Sequence, residues 1–317
     1  MHGTIPPAAA EAPFRLPRFG YLHCFWGIQK REILRFLLQR GRFLSTLVRP
    51  LVWLFIFAAG FRSVLGVSII PPYETYVLYE VYVTPGLCAM ILLFAGMQSS
   101  LSMVYDREVG SMRILLTSPY PRWYLLASKL VAGTTIAVVQ VYAYLAIAYW
   151  WEVEPPPIGY LVALPAVFLS GLMLGSIGLF VSSLIKQLEN FASVMNFIIF
   201  PMFFTSSALY PLWRVKESSL LLYYICTLNP FTYTVELIRF GLHAKIDAPQ
   251  SWADFVAMFT AMGKANALDP FAGDHPAFIA LLVVVTTTAL FMGLAILAYD
   301  PSRGLIGRRG GPEGAAS

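Results

Sequence analysis

The stretch Tyr105–Leu130, YDREVGSMRILLTSPYPRWYLLASKL, decides how the rest of the chain is read. It carries charges of both signs at Asp106, Arg107, Glu108, Arg113, Arg122 and Lys129, and it separates two long apolar runs, 81–104 and 130–151. Apolar runs of ~20 residues match the hydrocarbon thickness of a bilayer. A charged, proline-bearing connector between two such runs belongs in water, because ionised side chains are costly inside a membrane. The expectation is an aqueous loop joined at each end to a span, placed to receive force from another protein.

Composition supports that reading. The 317 residues are 58% hydrophobic and 12% charged, with a mean hydropathy of +0.67. A soluble domain carries about 25% charged residues, so too little polar surface is left here for a water-soluble globule. The class is an all-α polytopic membrane protein. The net charge of +5 is read as membrane topology rather than nucleic-acid binding. Cys24, Cys88 and Cys226 lie far apart, and His2, His23, His243 and His275 have no metal-ligand spacing, so no disulfide framework, metal site or catalytic residue is assigned.

Outward from the opening stretch, residues 1–20 form a Pro- and Ala-rich tail without a signal-peptide core. Residues 21–43 repeat apolar side chains every three or four positions, with Lys30, Arg31 and Arg35 between them. That pattern predicts an amphipathic helix in the headgroup layer of the membrane. Six spans are expected, at about 44–65, 81–104, 130–151, 158–185, 190–213 and 276–299. Between the fifth and sixth lies an external region, 214–275. Asn229–Pro230 interrupts its apolar start, which predicts a re-entrant pair of short helices rather than a seventh span. Residues 240–275 read as a polar excursion, with a short helix at 251–264 and a docking role toward a periplasmic partner. Residues 300–317 are a basic, Gly-rich tail.

Six spans put both termini on one side. Sixteen of the 22 Lys and Arg residues then fall on the side of the termini and six on the other. Cytoplasmic loops carry the excess of basic residues, so both termini and Tyr105–Leu130 are expected in the cytoplasm. Polar residues within or near the spans, Gln98, Ser99, Ser100, Ser102, Gln140, Asn190 and Asn196, are expected to form hydrogen bonds between helices, the other reading being that they line a pathway.

The sequence has no G-x-x-x-x-G-K-[ST] phosphate loop, no G-x-S-x-G elbow and no H-E-x-x-H helix. The spans show no acid at mid-depth of the kind that couples transport to ions. Energy therefore enters from a partner, or transport is passive. The alternative class is a channel or membrane scaffold with no ATPase.

The segment Asp106-Arg107-Glu108-Val109-Gly110-Ser111-Met112-Arg113, followed by Leu115-Leu116-Thr117-Ser118-Pro119, Arg122 and Lys129, resembles the membrane subunit of type-2 ABC transporters. Asn229-Pro230-Phe231-Thr232-Tyr233 with Glu236 and Arg239 resembles a second element of that family, before its last span. The likeness runs from about Tyr21 to Tyr299, and the segment 240–275 is long for the family. The resemblance implies that Asp106, Arg107, Glu108, Gly110 and Arg113 form a coupling helix for a separate ABC ATPase subunit, which would carry ATP and Mg while this chain binds no cofactor. It implies a second copy or homologue as partner, an external gate at Asn229 and Pro230, a bacterial-type inner membrane location, and export of an apolar or amphipathic substrate such as a lipid, glycolipid or drug-like molecule.

Overall fold

The computed structural model describes residues 19–38, 40–58, 60, 79–108, 119–150, 155, 157–185, 187–243 and 277–299. Residues 1–18, 61–78, 109–118 (with Gly110 and Arg113), 244–276 (with the expected helix 251–264) and 300–317 lie outside the described residues. Among the described residues every regular element is a helix. In chain order these are α1 (Gly20–Leu38), α2 (Arg40–Val52) running into a π-helical segment (Trp53–Ala58), α3 (Tyr79–Glu108), α4 (Arg122–Tyr149), α5 (Pro157–Leu184), α6 (Leu188–Phe204), α7 (Leu212–Ser218), α8 (Leu220–Leu228), α9 (Pro230–His243) and α10 (Ala277–Ala298).

Four of these are long and apolar enough to cross a membrane: α3, α4, α5 and α10. They correspond to the second, third, fourth and sixth expected spans. Among the described residues, the other two expected spans hold shorter helices. Between 44 and 65 an apolar helix covers Thr46–Ile56, and the fifth is reduced to the 17 residues of α6. At 1.5 Å per residue α6 is about 25 Å long, less than the ~30 Å hydrocarbon core. Its apolar run continues in sequence, but the helix stops after Phe204 and the chain turns through 205–210.

The centre of the packing is α5, which contacts α3, α4, α9 and α10. Small residues make this possible. A Cβ built on Gly96 of α3 would stand 2.9 Å from the Gly175 Cα of α5, so the two backbones meet where a side chain would otherwise hold them apart. Leu87, Leu92, Val141, Tyr144, Val167, Leu174 and Phe231 fill the core around that contact. α10 is different, with only 17% of its most apolar window buried.

Three of the polar side chains inside the helices are satisfied differently from expectation. Ser100 donates to Gly96 O at 3.0 Å, Ser102 to Ser99 O at 2.7 Å and Asn196 to Ala192 O at 3.2 Å, all within one helix. A hydroxyl or amide one turn after a carbonyl reaches it without needing a neighbour, so these residues close local bonds rather than bridge helices.

Candidate functional site

Two polar clusters stand out, one at each end of the helix bundle. The first surrounds the ends of α3 and α4. The stretch expected as a continuous aqueous loop is mostly helical where it is described. α3 continues through Glu108, and α4 begins at Arg122, directly after the extended Pro121. Lys129 is 2% exposed rather than solvated. Its ammonium lies 3.3 Å from Asp106 of α3, whose side chain is 17% exposed. Glu32 of α1 adds a second attractive negative charge nearby. The charge is tolerated inside the packing because carboxylates from two other helices surround it.

α1 lies along α4 and is fastened to it at three levels. Tyr120 donates to Gly20 O at 2.8 Å, Tyr124 donates to Tyr21 O, and Gln29 Nε2 donates to Ser128 O at 3.0 Å. The Tyr21 ring meets Tyr120 and Tyr124 edge-on, at centroid distances of 5.2 and 5.1 Å. Such pairs add specific attraction to ordinary burial. Residues 109–118 are therefore flanked by two helix ends tied to each other by Asp106–Lys129, and one of them is tied to α1.

Of the residues singled out in sequence, Asp106 and Glu108 fall at the last turn of α3, with Glu108 exposed. Arg107 belongs to the same helix. Lys30 and Arg31 are exposed on α1, Arg31 pairs with the buried Glu32 at 3.0 Å, and Arg35 is half-buried. The structure brings Asp106 together with Lys129 but leaves Lys30 and Arg31 facing outward. Sequence reasoning missed Gln29, Tyr120 and Tyr124. Tyr120 precedes the extended Pro121 and Tyr124 lies in the first turn of α4, so no helical spacing in the sequence announced the pair, and Gln29 carried no signal at all.

The second cluster surrounds the break between α8 and α9. Asn229 is 8% exposed. Its amide donates to Met202 O at 2.7 Å and Thr205 O at 2.8 Å, the carbonyls left over at the end of α6. Its Oδ1 accepts from Phe231 N at 3.0 Å, capping the start of α9. Pro230 occupies the first helical position, where a missing N–H costs nothing. Thr232 donates to Cys226 O at 2.7 Å, closing the corner from the other side. One side chain thus finishes α6 and starts α9.

One and two turns further on, Glu236 and Arg239 form a buried pair at 2.7 Å, with side chains 4% and 2% exposed. Arg239 also donates to Ser207 O at 2.9 Å and sits 4.4 Å above the Tyr82 ring of α3. Tyr82 donates to the same Ser207 carbonyl at 3.1 Å. Both charges were assigned to an external aqueous surface, and their burial corrects that. Discounting the buried Lys129 and Arg239 leaves the basic tally at fifteen against five, so the asymmetry stands. α9 is buried throughout Phe231–His243, so the expected polar excursion does not begin at Phe240.

The described helices thus combine long apolar spans, an α3–α4 connection braced by Asp106–Lys129, and a broken helix pair at the opposite end. A family model described as ABC-2 type transporter matches residues 23–243, and the chain belongs to that family. It is 28% identical over 203 residues to a protein of Cyanophora paradoxa named transport permease ycf38, covering 62% of this chain and 66% of that one. It is 29% identical over 163 residues to an Escherichia coli K12 protein named multidrug ABC transporter permease YbhR, covering 51% of this chain and 43% of that one. It is also 23% identical over 206 residues to Nodulation protein J of Rhizobium leguminosarum bv. viciae, covering 62% and 73%. The chain thus spans under two thirds of the first two of these relatives.

Proposed function

We propose that the chain is the membrane half of an ATP-driven exporter, working as a pair with itself or a homologue and powered by separate ABC ATPase subunits that hold ATP and Mg. The observation that carries this is the bracing of the α3–α4 connection. A push on residues 109–118 reaches two long helices at once through Asp106–Lys129, and reaches α1 through Gln29, Tyr120 and Tyr124. Family membership supports the ATPase partner. In this reading α2 with its π segment and α6 are two short spans, giving six in all. The basic asymmetry supports a cytoplasmic position for both termini and for Glu108, in a bacterial-type inner membrane. Asn229 and Pro230 form the corner of an external gate, and the helices' sparse charge suits an apolar or amphipathic cargo. Cargo is drawn from the cytoplasm or the adjoining leaflet, and ATP-driven closure of the ATPases opens the seam between the two permeases outward.

Glu108→Arg tests the coupling. The expected outcome is loss of transport-linked ATP hydrolysis in proteoliposomes, by about tenfold or more, because a reversed charge at the exposed end of α3 faces the ATPase groove. Unchanged stimulated hydrolysis together with unchanged complex assembly would remove the assignment. Purification of the untreated complex separates this reading from a passive channel or scaffold, since only the exporter brings a P-loop ATPase with it.

A further inference from the structure

One charge lies at a depth where the helices otherwise hold none. Arg49 of α2 is exposed, and its guanidinium stands 4.2 Å from the centre of the Phe94 ring of α3. Phe94 is 14 residues from Glu80 near one end of α3 and 14 from Glu108 at the other, about 21 Å each way at 1.5 Å per residue. Residues 81–105 of that helix carry no charge. An apolar core of ~30 Å, set anywhere between the two carboxylates, keeps the Phe94 backbone within ~6 Å of its midplane. The guanidinium seated on that ring is therefore inside the apolar zone rather than at its edge.

The fold gives this cation a seat but no anion. Among the described residues the Arg49 side chain makes no ion pair and no hydrogen bond, and the Phe94 ring is its partner. A ring face steadies a guanidinium but leaves its N–H donors unmatched. Val48, Val52 and Ile56, exposed on the same helix, are apolar. A bare guanidinium is costly against acyl chains, and ionised side chains inside membranes face protein or water and mark the routes of ions and substrates. The neighbouring helix points the same way. One turn on, Trp53 opens the π-helical segment and meets Phe203 and Phe204 of α6 at centroid distances of 5.4 and 5.9 Å. The exposed residues of α6 include Asn190, Ser193 and Asn196, polar groups that lipid tails do not satisfy.

We propose that Arg49 is a cargo-binding residue, whose guanidinium, held on Phe94, pairs with the phosphate or carboxylate of an anionic amphiphile as that molecule crosses. Both oxyanions match the guanidinium fork in the same two-pronged way. The proposal rests on the export reading and narrows it, from an apolar or amphipathic cargo to an amphipathic one with a negative head group.

The test uses the whole permease complex in nanodiscs of neutral lipid, without nucleotide, so that binding is read apart from ATP-driven export. Three photo-crosslinking probes share one dodecyl chain and end in a phosphate, a carboxylate or a neutral alcohol, and adducts are mapped by peptide mass. Expected is labelling of α2, and of α3 near Phe94, by the anionic probes about tenfold above the alcohol, the stronger anion naming the head group. Arg49→Gln should bring both anions down to the level of the alcohol. Arg49→Lys keeps the charge, should retain part of the preference, and guards against misfolding as the cause. Equal labelling by all three probes would overturn the proposal, as would an anion preference that survives Arg49→Gln. Absence of that preference in a complex that still couples ATP hydrolysis to transport sinks the role of Arg49 alone. An anion preference in a permease that brings no ATPase with it upholds the binding site and removes export instead.

Discussion

At the scale of single residues, the side chain that does most is Asn229. An amide can donate and accept at once, and this one donates to Met202 O and Thr205 O while accepting from Phe231 N. Aspartate has nearly the same shape but no donor, and would face two carbonyls with a charge. Asn229→Asp should therefore lose more stability than Asn229→Ala, by about 1–3 kcal/mol, seen as a lower unfolding midpoint in detergent. An Asp variant as stable as wild type would sink the capping role. Arg239 gives a second contrast. Arg239→Leu strands Glu236 at 4% exposure and should cost about 3–5 kcal/mol, whereas Glu236→Leu combined with Arg239→Leu should regain most of it. The break itself was legible, because Pro230 cannot continue a helix. The use of Asn229 was not, since its partners lie 24 and 27 residues away. The three-residue spacing of Glu236 and Arg239 announced a pair, but burial depends on Tyr82 of a distant helix, which no local pattern reveals.

At the scale of elements, hydropathy located the long helices and misjudged their ends. α4 begins eight residues before the expected Leu130, because a hydropathy window stops at Lys129 whereas backbone hydrogen bonding does not. α6 fails in the other direction. Its sequence stays apolar past Phe204, but the chain turns at Thr205, where Asn229 takes up the last carbonyls. Helix packing was not legible in the hydropathy pattern, and the pairing of small residues in α3 and α5 supplies it. Gly96 faces backbone, Gly175 Cα and N, which cannot rotate out of the way, while Gly293 of α10 has nothing within 4 Å. Gly96→Ala should force α3 and α5 apart and cost about 1–3 kcal/mol. Gly293→Ala should be neutral or mildly stabilising, as alanine is the better helix former. Parallel thermal unfolding of the two variants checks this, and equal midpoints would mean that the α3–α5 contact is looser than 2.9 Å implies.

At the scale of the whole molecule, α10 and α6 both present largely exposed faces, and their chemistry assigns them different neighbours. α10 exposes Phe278, Leu282, Val285, Leu290 and Leu297. The exposed hydroxyl of Thr286 on that face is closed onto Leu282 O at 2.8 Å. Lipid satisfies such a surface, because acyl chains ask only for apolar contact. α6 exposes Phe197, Phe200 and Phe204 together with Ser193, Asn190 and Asn196. Asn190 donates to Gln187 Oε1 at 2.8 Å and Asn196 to Ala192 O at 3.2 Å. An amide has further donor and acceptor capacity that acyl chains do not meet, and a helix of about 25 Å does not fill the bilayer alone. The proposed pairing of two permeases therefore predicts that the face of α6 meets its copy, with the amides along the seam and the aromatic rings sealing it. Of the three cysteines, Cys88 and Cys226 are buried and Cys24 is half-buried, so a Cys24→Ser background leaves reporter positions clear. Treated in native membranes with a short bifunctional maleimide, Phe197→Cys should give a cross-linked dimer, and Leu290→Cys should remain monomeric. The reverse pattern would move the seam to α10 and place α6 against lipid, and with it the route by which cargo crosses.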